Sequence, residues 1–572
     1  MSCTTDASGI NDISGVIHAA TSDAYLLTQE DFAVPYVIDK PGIYTLTEDI
    51  KINFYPKPYD IFNVETTGDD FFGFPAAIKI VAKHVILDLS GHTLYQSPQD
   101  FCVQRFFALI QLNNSPFPLN HGPIPESKST LTAASYCMII NGELGLTAHQ
   151  AVLGNDNSHL VFQDLVVKDF EVTGFTLNNV ETAYFQNVTI ARSIGVQRAL
   201  PVSPYFSGLI FNYRLLKLTY LKFFLSTVEA QSVINTNNHI RANLTPFLNV
   251  IYSYSSLSCI YDQLKHVAYK CYPYLVFLFN DSQLSPCGMH GIKITGPNPS
   301  ISKYHNSLDE DTEKRFSKHI YIYDSSINQI KGKVGEQLLV TKCSKIVHIG
   351  AGLKLGASLL SSKVICDLLK TMALLTLNPN VKGFIRTTVD SEVVNFVISG
   401  KNPTGHMGFT RSHDIMGHLN KGVHGIRFGS SCHVELSGVD ITNIVNEGTA
   451  LDPATVDCLR KKYTFGEVEF APSSFLTPIN YTGTYAIGAI FSGCEICDIS
   501  DVNIYDITAP YGASVGLGIN NVCENFSVAN TNIYDLVSNT NSFDSATFVV
   551  DVKSKNVTTN NLVLNPAGTS ST

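Results

Sequence analysis

Tryptophan is absent from this 572-residue chain, and charge is sparse, with Asp, Glu, Lys and Arg together at 15% against about 25% in an average soluble domain. Without tryptophan the strongest aromatic platform for a sugar ring is missing, and tyrosine would have to serve instead. Low charge beside 44% hydrophobic residues excludes a disordered acidic or basic protein. The balance of Lys+Arg over Asp+Glu, 39 − 49 = −10, disfavours a general nucleic-acid binder. No long uncharged apolar run exists. The most apolar stretch, residues 209–225, carries Arg214, Lys217 and Lys222, so no membrane span is expected. The opening MSCTTDASGINDIS lacks the basic and apolar regions of a signal peptide. Neither a P-loop nor a GxGxxG opening a helix occurs, so nucleotide use is not indicated. The cysteines number thirteen, an odd count scattered from Cys3 to Cys523. That pattern predicts free, buried thiols in a protein made in a reducing compartment.

What the chain has is repetition. Numbered from a Gly, Asn or Asp at position 0, apolar residues fall at −4, −2 and +3. The pattern appears around Gly91, Asp164, Asn187, Gly438, Asp501, Asn530 and Asn561, and more weakly around Asn114, Asn141, Asp324 and Gly350. Alternation with period two predicts short strands with one face inward. Gly, Asn and Asp tolerate the left-handed backbone needed to bend between strands. The turns at 91, 114, 141, 164 and 187 are 23, 27, 23 and 23 residues apart, and those at 501, 530 and 561 are 29 and 31 apart. A unit recurring at that spacing cannot bury its apolar face alone and must stack. Leu87, Leu160, Ala183, Val434, Phe526 and Val557 are expected in one continuous core, with Ile504 and Ile533 stacked inward on each other.

The run Val85-Ile86-Leu87-Asp88-Leu89-Ser90-Gly91-His92-Thr93-Leu94 resembles the rung sequence of right-handed parallel β-helix proteins, the pectin-lyase-like superfamily. The segment Gly42-Ile43-Tyr44-Thr45-Leu46-Thr47-Glu48-Asp49-Ile50 resembles the entry strand before such rungs. The low-charge, Asn-rich style resembles β-helix repeat proteins of large DNA viruses. The resemblance implies an all-β, right-handed parallel β-helix solenoid with a partly helical insertion. The expected organisation is a leader and cap over 1–75, a first β-helix block over 76–195, a partly helical insertion over 196–285, an irregular continuation over 286–400 and a second block over 401–572.

The densest polar cluster, residues 406–429, holds His406, Arg411, His413, Asp414, His418, His424 and Arg427. Histidine suits metal binding or acid–base work, yet the spacings match neither HExxH nor a Cys/His zinc site. A polar loop leading into a turn of the repeat accounts for them without a site. A local duplicate, Gly288-Met289-His290-Gly291-Ile292-Lys293 and Gly422-Val423-His424-Gly425-Ile426-Arg427, faintly resembles the Gly-His-Gly element of β-helix polygalacturonases. The aspartates and Arg-x-Lys of those enzymes are missing, so the duplicate reads as a strand entry that recurs in two turns. Asp164, Asp324 and Asp501 sit at turn positions where backbone capping explains them, and Asp88 reads as solvated or laddered. Cys494 and Cys497 form a lone CxxC that reads as core thiols. No residue is assigned as catalytic, cofactor-binding or metal-ligating, and no cofactor is expected.

These readings lead to a non-enzymatic structural or surface protein, a virion component made in the host cytoplasm, with protein partners in an assembly that include copies of itself. The alternatives are a carbohydrate-active lyase or hydrolase, or a glycan-binding module. The structural reading expects Ile533→Ala to cost stability and His424→Ala to cost little.

Overall fold

The computed structural model describes residues 23–54, 75–103, 107–115, 131–192, 249–260, 262–263, 266, 289–296, 316–332, 338–340, 346–348, 422–447, 485–510, 512–520, 522–538, 546–550 and 552–564. The period-two segments are strands, and they assemble into a 17-stranded sheet and a 10-stranded sheet. Every pairing within these two sheets is parallel, and the strands lie in successive layers. Leu160 pairs with Ala183, Ala183 with Ile320, Ile320 with Val434, Val434 with Cys497, Cys497 with Phe526, and Phe526 with Val557. The inward residues of both sheets form one apolar core. Leu87, Leu160, Ala183, Val434 and Phe526 belong to it, and Val557 packs against it. Ile504 and Ile533 are register partners, both buried.

The expected β-helix solenoid requires correction, because the pairings of the main sheet close on themselves. Ala183–Arg192 pairs through its first half with Ser317–Tyr323 and through its second with Ser326–Gly332. These continue through Ser431–Ser437 and Asp440–Asn446 to Glu495–Ser500 and Asn503–Ala509. Both of the last two pair with Glu524–Ile533. Eight parallel strands therefore make a closed barrel by connectivity, with the 10-stranded parallel sheet as a second sheet. The cause is local. Asn187 and Asn530 take left-handed backbone angles, φ 53° and 47°, yet their strands run on through them. At Asp324, Gly438 and Asp501, also at positive φ, the strand breaks in two.

The turn residues are as expected, with φ 52° at Asp164, 47° at Asp324 and 54° at Asp501. They also ladder. The Asn187 amide donates to Asp164 at 2.6 Å, Asn530 to Asp501 at 3.2 Å and Asn561 to Asn530 at 3.0 Å. Asp88 accepts from the Asn141 amide at 3.2 Å.

Two details of the repeat shift. Val85, not Leu87, takes the place of Cys137 and Leu160, because the first bend is longer, with Ser90 and Gly91 both at positive φ. Asn114 follows Ala108–Gln111, a strand of the other sheet, so it lies outside the column that holds Asn141. Gly350 lies outside the described residues, and nearby Leu338–Val340 and Ile346–His348 pair antiparallel.

The leader already contributes strands, Ala24–Leu27, Gly42–Leu46 and Ile50–Ile52, to the main sheet. The insertion is largely outside the described residues, but 249–253 and 257–260 are helical. Ile251 and Ile260 join the common core, and the side-chain amide of Gln99, on the helix Pro98–Val103, bonds the Tyr254 carbonyl. This part of the insertion thus packs on the strands.

Candidate functional site

The duplicated GxHGI segments lie side by side. Met289–Thr295 and Val423–Gly429 are neighbouring parallel strands of the second sheet, with His290 opposite His424, Ile292 opposite Ile426 and Lys293 opposite Arg427. Met289, Ile292, Ile294, Val423, Ile426 and Phe428 enter the core. Alternation therefore turns the two histidines and the two cations to the other face. The imidazoles stack with centroids 4.6 Å apart at 30°. In the preceding strand Thr173 stands opposite His290 and shares a 2.6 Å hydroxyl bond with Thr176.

Both histidines are buried, His424 fully so. The expectation that His424 is exposed and cheap to replace is thereby corrected. Burial, followed by His424, Arg427 and Lys293, holds His290 well below the ordinary histidine range. Burial lowers the Arg427 guanidinium to about 10. An imidazole placed as that of His290 is a poor general acid near neutrality, because protonation adds a like charge in a desolvated place. Nδ1 of His290 and Nε of Arg427 are buried with no hydrogen-bond partner among the described residues. Among the described residues, no group of three or more His, Cys, Asp or Glu could hold a metal ion. His406, His413, His418, Arg411 and Asp414 lie outside the described residues. His424 stacks on its counterpart in the duplicate.

Aromatic side chains line other columns. His84 stacks on Tyr136 at 5.1 Å and Tyr136 on His159 at 4.3 Å. Tyr184 stacks on Tyr321 at 4.7 Å, His319 on His433 at 4.9 Å and Tyr505 on Tyr534 at 5.0 Å. A sugar ring needs an aromatic face, and these rings present their faces to one another. The columns therefore rigidify the stack more than they offer a glycan platform.

The cysteines depart from expectation at one place. Cys494 and Cys497 are free and buried, as the core-thiol reading requires. Burial raises the Cys494 thiol well above its ordinary range, and burial pushes Cys137 up to about 12. Cys432, however, is disulfide-bonded.

Two features escaped the sequence reading. Gly174, Gly291, Gly425, Gly488 and Gly516 occupy one register position of the second sheet. A Cβ on Gly425 would stand 2.6 Å from the Gly488 carbonyl oxygen and 2.5 Å from the Ile441 methyl. The signal was present as a glycine just before an apolar residue in each strand, but only its His-containing copies stood out. The second is Arg192, fully buried, whose Nε donates to the Phe170 carbonyl at 2.8 Å and whose terminal nitrogen bonds the Lys331 carbonyl. Burial lowers it to about 10, with Glu171 and Asp169 opposing. It joins strands on either side of the insertion, a pairing that local patterning does not reveal.

No protein-family profile, no curated protein and no solved structure matches this chain. No described helix is long and apolar enough to cross a membrane.

Proposed function

We propose that this chain is a non-enzymatic structural protein, a rigid stack of parallel strands that serves as a virion component and binds protein partners, copies of itself included. The observation that supports this reading most directly is the state of the last layer. In Glu524–Ile533 the inward residues Phe526, Val528 and Ile533 are at most 1% exposed. The successors of Phe526 and Ile533 in Lys555–Leu564 are not covered: Val557 is only partly buried, and Leu564 is 41% exposed. In the second sheet Val550 follows fully buried Ile519 and is 37% exposed. Such a strand edge with apolar side chains is a template for another chain. Ladders of Asn, Asp and aromatic rings running from layer to layer suit a load-bearing element. The likeness in sequence style to viral repeat proteins supports the virion assignment.

The experiment is paired. Purified protein is incubated with a panel of acidic and neutral glycans, and virions from its source are probed for the chain with a specific antibody. No cleavage together with incorporation supports the proposal. Cleavage that is abolished by His290→Asn at unchanged thermal midpoint overturns it in favour of a carbohydrate-active enzyme.

A further inference from the structure

Exposed large apolar side chains are confined to the two ends of the stack among the described residues. Leu26, Val34 and Val37, 70%, 66% and 51% exposed, lie in the first layer. Val522, Val537, Val549, Val550, Val552, Val563 and Leu564 lie in the last two. The described residues of the flanks between them carry none. Scattered single exposures would need no explanation, but apolar patches at both ends do.

The ends also differ in charge. Residues 23–40 carry Asp23, Glu30, Asp31 and Asp39 against Lys40. Residues 546–564 carry Lys553 and Lys555 against Asp551. Lys555 reaches Glu524 of the preceding layer at 3.1 Å, so the pairing of opposite charges between adjacent layers is already in use at this end. Strand direction adds a third argument. All pairings of the two main sheets are parallel. Among the described residues, Ala24–Leu27 pairs only with Gly42–Leu46, and Lys555–Leu564 only with Glu524–Ile533. A first layer set on a last layer in the same orientation keeps the parallel mode, whereas two last layers facing each other must pair antiparallel and bring like charges together.

We infer that a second copy of this chain docks head to tail, its acidic, apolar first layer on the basic, apolar last layer. This rests on the structural reading above and names the partner for that end. A head-to-tail contact is heterologous and does not close, so it builds linear stacks rather than a dimer. The inward residues Leu27, Phe32 and Ile38 are at most 2% exposed, so the head contributes its rim and strand edge while the tail contributes its open core.

Sedimentation velocity of the full chain over a concentration series tests this, with variants at solvent-exposed positions that leave folding intact by circular dichroism. Leu26→Lys with Val34→Lys blocks the head, and Val552→Glu with Val563→Glu blocks the tail. The wild type is expected to form species beyond dimer that dissociate as salt rises. Each blocked variant alone is expected to be monomeric, and an equimolar mixture to stop at dimer, since one intact head meets one intact tail. A wild type that stays monomeric at its highest soluble concentration overturns the inference, as does a tail variant that is monomeric while the head variant still dimerises, which marks a tail-to-tail dimer. Either result leaves the glycan and virion tests of the structural reading untouched.

Discussion

The carbonyl oxygen of Gly425 lies 2.6 Å from the point where a Cβ on Gly291 would stand. The same clash recurs from Gly425 to Gly488 and from Gly488 to Gly516, each at 2.6 Å. On the core side Ile327, Ile441 and Ile504 crowd the same points at 2.9, 2.5 and 2.4 Å. The column is thus confined by backbone, which cannot give way as a flexible side chain can. Gly425→Ala is expected to cost about 1–3 kcal/mol, the range for overpacking, read as a lower urea midpoint. Gly91→Ala meets nothing within 4 Å but sits at φ 81°, so its smaller cost should come from the backbone alone.

The buried His290 ties stability to pH. Its folded value is depressed below 6.5, while in the unfolded chain it titrates near that value. Above that pH neither state binds the proton. Below it the unfolded state binds more, so stability is lost as pH falls. The urea midpoint of the wild type is expected to drop from about pH 7 to about pH 5, and His290→Asn to show a shallower drop. Equal slopes would mean that His290 takes up its proton alike in the folded and the unfolded chain.

Thiol reactivity should divide by burial. Cys259 is exposed, whereas Cys102, Cys137, Cys494, Cys497 and Cys523 are buried. Among these positions, alkylation of the native protein followed by peptide mass mapping is expected to label Cys259 first. The buried five should react only on unfolding, since burial withholds them from the reagent.

Core truncation and turn substitution act differently. Ile533→Ala is expected to cost about 2–5 kcal/mol through lost transfer energy and a cavity. Asn530 holds φ 47° and laddering bonds to Asp501 and Asn561. Asn530→Ala should therefore cost more than Asn530→Gly, because alanine carries the left-handed penalty of roughly 1–2 kcal/mol and glycine does not. Thermal midpoints of the three variants check the order.

The repeat made much of this legible. Period-two alternation located the strands, the Asn and Asp turns had the expected left-handed geometry, and Ile504 proved to sit on Ile533. His424 stacks on His290, 134 positions back in the chain (424 − 290), a contact that its own His-rich segment does not announce. Sequence proximity marks a shared loop, but in a parallel stack it is register across layers that brings side chains together. Arg192 was invisible for the same reason, since the Lys331 carbonyl it bonds lies beyond the insertion.

The sequence by itself determined the elements: which residues point inward, where the backbone must turn left-handed, and that layers must stack because no single layer can bury its apolar face. Tertiary structure alone decided how the pairings close. Whether the chain bends at a left-handed residue or carries its strand through it is not written in that residue, since Asn187 and Asn530 continue where Asp324 and Asp501 break. The outcome depends on which backbone groups of the adjacent layers are in reach to pair, and only the assembled stack sets that.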